Sequence, residues 1–101
     1  MTYHQIEVSS ERIGEFCRKW NITEFSLFGS ILREDFGPES DIDVLVEFAP
    51  GAGITFDNRV EMLDELASIF GREVDLIDKR AIRNPFRRHS ISTGKEVLYA
   101  A

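Results

Sequence analysis

One cysteine, Cys17, and two scattered histidines, His4 and His89, stand in a chain of 101 residues. A lone thiol closes no internal disulfide, and without Cys and His at ligand spacing there is no zinc-type site. Long apolar runs are missing too. None approaches the roughly 18 to 20 residues needed to cross a bilayer, and the start Met1-Thr2-Tyr3-His4-Gln5 lacks the charged segment and apolar stretch of a leader, so the chain is expected to be cytoplasmic. Nor is there a surplus of positive charge. Twelve Lys and Arg face 18 Asp and Glu, a net charge of -6. Such a chain is a poor binder of free nucleic acid, because that affinity comes mostly from Lys and Arg neutralising phosphates. No repeat, low-complexity tract or linker interrupts it, and residues 1–101 are expected to form a single minimal domain. A domain of this size buries somewhat over roughly 60% of the surface its unfolded chain exposes, enough for one core but not for a second lobe. Two phosphate-binding signatures are absent as well. There is no Gly-x-x-x-x-Gly-Lys, and Gly51-x-Gly53 lacks the third glycine of a dinucleotide fingerprint. Any chemistry must therefore come from carboxylates, hydroxyls and Arg.

The hydrophobic pattern predicts alternating helices and strands. Ser10 is placed to cap a helix in which Ile13, Phe16, Cys17 and Trp20 form one apolar stripe, ending near Asn21. Glu24 to Phe28 reads as a short strand stopped by Gly29. Ile42 to Phe48 is dense in β-branched residues and is expected to be a central strand, closed by Ala49-Pro50-Gly51-Ala52-Gly53. From Asp57 to Phe70, Val60, Leu63, Leu66, Ala67 and Phe70 fit a helical face, with Gly71 as C-terminal cap. Arg72 to Asp78 alternates as a strand, with Val74 and Leu76 on one side and Asp75 and Ile77 on the other. Asn84-Pro85 opens a short helix that Gly94 ends, and Glu96 to Tyr99 is a last strand. The order α-β-β-α-β-α-β gives an α/β (α+β) fold, a mixed sheet with helices packed on it. Phe16, Trp20, Phe25, Phe28 and Phe70 are read as core.

The informative spacing is Gly29-Ser30, ten residues, then Asp41-Ile42-Asp43. Alternation along a strand projects Asp41 and Asp43 from one face, with Cα atoms roughly 6.6 to 6.8 Å apart. Asp75 joins them if the neighbouring strand pairs in that register. Parity favours it over Asp78, which shares the side of Val74 and Leu76. Three close carboxylates repel one another and call for a hard divalent cation, and Mg2+ suits a site with one or two carboxylates that finishes its shell with water and phosphates. Gly29 permits a sharp turn that exposes backbone N–H groups and Ser30 adds a hydroxyl, both phosphate-cradling elements. Together these residues suggest a nucleoside triphosphate with Mg2+, and displacement at phosphorus assisted by two metal ions. Arg33, in the loop, is a further candidate for contact with the triphosphate. The cluster Arg80, Arg83, Arg87 and Arg88 forms a basic patch suited to contact with nucleotide, RNA or an acidic partner, although a charged helix face is the commoner explanation of such a run.

These residues resemble the minimal nucleotidyltransferase family of the DNA polymerase β-like superfamily, whose pattern Gly-Ser-x10-Asp-x-Asp is matched by Gly29-Ser30 and Asp41-Ile42-Asp43. Ser40 and the downstream stretch Gly71-Arg72-Glu73-Val74-Asp75-Leu76 support the match, and the resemblance spans nearly the whole chain. It departs at Leu32-Arg33-Glu34, where many family members have Ala-Arg-Gly. The resemblance implies that Asp41 and Asp43 bind both Mg2+ ions, that Asp75 completes one metal site and helps activate the acceptor hydroxyl, and that Gly29 and Ser30 hold the β- and γ-phosphates of ATP. It further implies an antitoxin that transfers AMP onto a tyrosine of a HEPN-type toxin ribonuclease. The alternatives are an antitoxin acting only by covering its partner, and transfer to a small molecule or an RNA end.

Overall fold

The computed structural model describes residues 2–101 and carries one four-stranded mixed sheet with three helices. A hairpin of two-residue strands, β1 (Thr2–Tyr3) and β2 (Ile6–Glu7), precedes the first helix. Its turn holds His4 and Gln5 at φ of 47° and 68°, a left-handed pair that sequence patterns associate with Gly and Asn and so pass over here. Helix α1 (Ser10–Trp20) is capped by Ser9, not Ser10. The Ser9 hydroxyl accepts from the Arg12 N–H, the donor three residues on that a capping side chain satisfies, while Ser10 is already helical. Asn21 ends the helix in the left-handed conformation.

Strand β3 (Ile22–Phe28) begins two residues earlier than expected, and β4 (Ile42–Phe48) lies where the β-branched run predicted. Helix α2 (Phe56–Phe70) opens on a capping box in which Thr55 and Asn58 exchange hydrogen bonds of 3.1 Å. Its buried stripe is Met62, Leu66 and Phe70, at i, i+4 and i+8. Val60 is 45% exposed and does not belong to the core. It lies about 160° round the helix from Met62, the core residue that took its place. Strand β5 (Val74–Asp78), helix α3 (Pro85–Gly94) and strand β6 (Glu96–Ala100) complete the order.

The sheet runs β5-β4-β3-β6, antiparallel except for the parallel β4–β5 pair that α2 bridges. Helices α1 and α2 pack on one face over Phe25, Leu27, Ile42, Val44, Val46 and Leu76. The other face carries a small second cluster, in which Ile82 and Ile91 cover Phe28 and Leu45. Trp20 Nε1 donates to Glu65 Oε2 at 2.6 Å and Lys19 pairs with the same carboxylate, tying α1 to α2. Among the described residues no helix is long and apolar enough to cross a membrane.

Candidate active site

The thinly covered face brings the candidate residues to one end of the sheet. Phe28 pairs with Asp43, so the chain leaving β3 turns directly beside that carboxylate. Gly29 sits at φ +75° and leads into the 3-10 turn Gly29–Leu32. A Cβ at Gly29 would run into Asp43 Oδ2, with Cγ only 3.2 Å away, so both backbone angle and close approach demand glycine. The Ser30 backbone N–H faces the Asp43 carboxylate and favours its charged form. Asp43 and Asp75 are register partners on β4 and β5, which sets them side by side on one face, as the parity of β5 predicted. Asp41 lies one pleat back from Asp43, exposed, just ahead of β4. Asp78 is occupied elsewhere, its Oδ1 accepting from the Arg80 N–H at 2.9 Å.

Asp43 titrates above the ordinary carboxylate range. Partial burial contributes most, followed by the charges of Asp75 and Asp41, while Arg33 and the Ser30 N–H pull the other way. Asp43 thus feels both neighbouring carboxylates. Among the described residues no three Asp, Glu, His or Cys side chains close round a cation by themselves. Magnesium asks for no such cage: it uses one or two carboxylates and fills its remaining positions with water and substrate oxygens. Hard oxygen donors, surplus negative charge and open positions beside a glycine turn fit Mg2+ carrying a polyphosphate. Arg33 stands exposed at the mouth, its Nε 3.2 Å from Asp35 Oδ1.

Two residues hold the loop between Leu32 and Asp41 in a role the sequence did not signal. Arg72 Nη1 donates to the carbonyls of Gly37 at 2.9 Å and Ser40 at 3.1 Å, and its guanidinium lies 4.6 Å above the Phe36 ring. It thereby fixes the residue just before Asp41. His4 stacks on the other partner of that contact, its ring 4.9 Å from Phe36, with Nε2 3.0 Å from the Ile31 carbonyl. The unforeseen N-terminal hairpin is what brings His4 there. Leu32 packs against the main core, which accommodates the departure from Ala-Arg-Gly at the start of this loop.

A mixed four-stranded sheet presenting in-register carboxylates beside a left-handed Gly-Ser turn defines a nucleotidyltransferase-type α/β domain. The chain belongs to the nucleotidyltransferase domain family, whose model matches residues 10–98. A protein of Methanocaldococcus jannaschii, provisionally named a protein adenylyltransferase, is 40% identical over 81 residues, covering 80% of this chain and 79% of the relative. A toxin–antitoxin complex crystallised with AMP-PNP contains a chain with a TM-score of 0.73 and 25% identity, matching 93% of this chain and 75% of that one. A Shewanella oneidensis structure of a tri-AMPylated HEPN toxin with its MNT antitoxin shares the fold at a TM-score of 0.64 and 24% identity, over 91% of this chain and 70% of that one.

Proposed function

We propose that this chain is a Mg2+-dependent protein adenylyltransferase that moves AMP from ATP to a tyrosine hydroxyl of a HEPN-type toxin in the cytoplasm, acting as its antitoxin in a single minimal domain. The observation that carries the proposal is the alignment of Asp43 with Asp75 in register, with the Gly29 turn pressed against Asp43. The name of the Methanocaldococcus relative and the toxin–antitoxin neighbour with its ATP analogue support it.

Each residue then has a part. Backbone N–H groups of the Gly29–Ser30 turn and the Ser30 hydroxyl hold the β- and γ-phosphates. Asp41 and Asp43 would hold the cations, with Asp75 completing one site, and Arg33 at the mouth offsets phosphate charge. When bound, Mg2+ lowers the pKa of the attacking hydroxyl and stabilises the departing pyrophosphate. Asp75 takes the tyrosine proton as the phenolic oxygen bonds to the α-phosphorus. The bond from that phosphorus to the bridging oxygen breaks, and pyrophosphate leaves on the Gly29–Ser30 side. The described sheet and its helices form no second lobe to hold a macromolecular acceptor, so the partner would present the hydroxyl itself.

Co-expression with a HEPN-type partner, followed by intact mass, tests this. The native chain should add one or more adenylyl units, and the Asp41→Asn, Asp43→Asn double variant none. A partner that is neutralised yet unmodified by the native chain would replace this reading with a binding-only antitoxin.

A further inference from the structure

The three carboxylates of the site are not held alike. Asp43 and Asp75 belong to the paired strands β4 and β5, whose ladder sets their spacing. Asp41 is exposed, lies just ahead of β4 and stands outside that register, so strand pairing alone does not place it. Both of its neighbours are nevertheless pinned. On one side the Ser40 carbonyl accepts from Arg72 Nη1 at 3.1 Å, and on the other the Ile42 N–H donates to the Glu73 carbonyl at 3.0 Å. These anchors come from the two residues that lead into β5. Asp41 is thereby tied to the strand that carries Asp75.

The Arg72 side chain is wholly engaged in this contact. Its Nη1 also donates to the Gly37 carbonyl at 2.9 Å, so it grips both ends of a small turn that closes on itself through the Ser40 N–H to Gly37 carbonyl bond of 3.1 Å. Arg72 makes no salt bridge among the described residues, and its charge is directed at backbone carbonyls and the Phe36 ring rather than at the carboxylates of the site. Phe36 also receives the His4 ring, whose Nε2 reaches the Ile31 carbonyl in the Gly29–Leu32 turn. One chain of contacts therefore runs from the Gly-Ser turn through His4, Phe36 and Arg72 to the residue before Asp41.

We infer that Arg72 is a positioning residue for Asp41: it holds that carboxylate beside Asp43 for a shared divalent cation, and so sets the cation affinity without touching the ion, with His4 and Phe36 bracing it from the Gly29–Ser30 side. The inference rests on the reading of Asp41 as a cation ligand. A carboxylate that must be immobilised on binding loses conformational freedom, whereas one held beforehand loses less, so affinity rises with the rigidity of the backbone that bears it. Simple electrostatics gives the opposite sign. A guanidinium repels a nearby divalent cation, so deleting Arg72 would tighten cation binding if charge were its only contribution. Serving two carbonyls and a ring at once asks for the planar group of arginine, which lysine lacks.

The test titrates Mn2+, a paramagnetic stand-in for Mg2+, into the full chain and reads the free ion by electron paramagnetic resonance. Arg72→Ala should need about tenfold more Mn2+ than the native chain for half-saturation, the usual size of an effect exerted through the support of a ligand. Arg72→Lys should fall between the two, and His4→Ala should shift the midpoint in the same direction by less. In an Asp41→Asn background Arg72→Ala should change nothing further, because a residue that acts through a carboxylate has no effect once that carboxylate is gone. Unchanged or tighter Mn2+ binding by Arg72→Ala overturns the inference. So does a loss that persists undiminished in the Asp41→Asn chain, which would make Arg72 a general prop of the fold. If the alanine variant does not fold, as judged by circular dichroism, Arg72→Lys decides: weaker binding than native supports the inference and native-like binding overturns it. A native chain that binds Mn2+ no better than Asp41→Asn overturns the reading of Asp41 as a ligand, and the positioning role with it.

Discussion

The two faces of the sheet differ in what covers them. Beneath α1 and α2, Phe25, Leu27, Ile42, Val44, Val46 and Leu66 are all but inaccessible, with Phe16 edge-on to Phe25 at 6.1 Å and Phe70 stacked on it at 6.5 Å. Among the described residues, Ile82 and Ile91 are what cover Phe28 and Leu45 on the opposite face, which also carries Ser26, Ile77 and the carboxylates Asp43 and Asp75. Apolar burial is the main favourable term in folding, so stability comes chiefly from the first face. On the proposed reading, the second face is left open because repelling carboxylates that meet a charged substrate cannot sit under a helix. One thin layer thus separates the part of the molecule that holds the fold from the part that works.

Truncations on each side should be unequal. Phe25→Ala removes a fully buried ring from the dense face and should cost about 3–5 kcal/mol. For a domain of this size each kcal/mol is worth about 4–8 °C in Tm, so Tm should fall by about 12–40 °C. Ile91→Ala, under the thinner cover, should cost about 2 kcal/mol, the low end for such a change. Equal losses in Tm would abolish the asymmetry.

Gly29→Ala strikes where the two functions of the chain meet. The left-handed backbone costs about 1–2 kcal/mol for a residue with a Cβ, and the new methyl must also push Asp43 aside. Tm should fall by several degrees, far less than for Phe25→Ala, while adenylyl transfer falls out of proportion to the lost stability. A variant as active as the native chain would remove Gly29 from the site.

Asp43→Asn should separate the faces in the opposite sense, losing transfer while gaining slightly in stability. The folded chain holds Asp43 above its ordinary carboxylate value. Its contribution to folding is therefore full below that ordinary value and is lost as the pH rises through the raised one. At neutral pH the ionised group opposes folding, and the neutral amide relieves it. The metal-free variant should melt slightly higher than the native chain at pH 7, with the gap closing in acid. A lower Tm at both pH values would mean that Asp43 is structural.

Much of this contrast was readable in the residues. Ile42 to Phe48 announces its strand by β-branched density and the Pro-Gly turn after it, and alternation in β5 is enough to choose Asp75 over Asp78. Other features carry no local signal. The His4-Gln5 turn uses residues without the usual preference for left-handed angles, and its role shows only where His4 meets Phe36. Arg72 looks like any loop cation until its backbone acceptors, more than thirty positions away, are in place.

The smallest expected effect concerns Ser26, which lies on the working face opposite Leu45 and is completely buried. Its hydroxyl has no hydrogen-bond partner among the described residues. A buried polar group left unpaired opposes folding, and removing it while keeping Cβ relieves the penalty without opening a large cavity. Ser26→Ala should therefore raise Tm by a few degrees, on the order of 1 kcal/mol or less, and leave adenylyl transfer untouched. The same change would be costly for a hydroxyl with a partner, so the sign alone decides. A rise shows that the thin face tolerates an unmet polar group because its few apolar contacts were never what held the sheet; a fall means that the hydroxyl has work on that face, and that the division between holding and working is less clean than the packing implies.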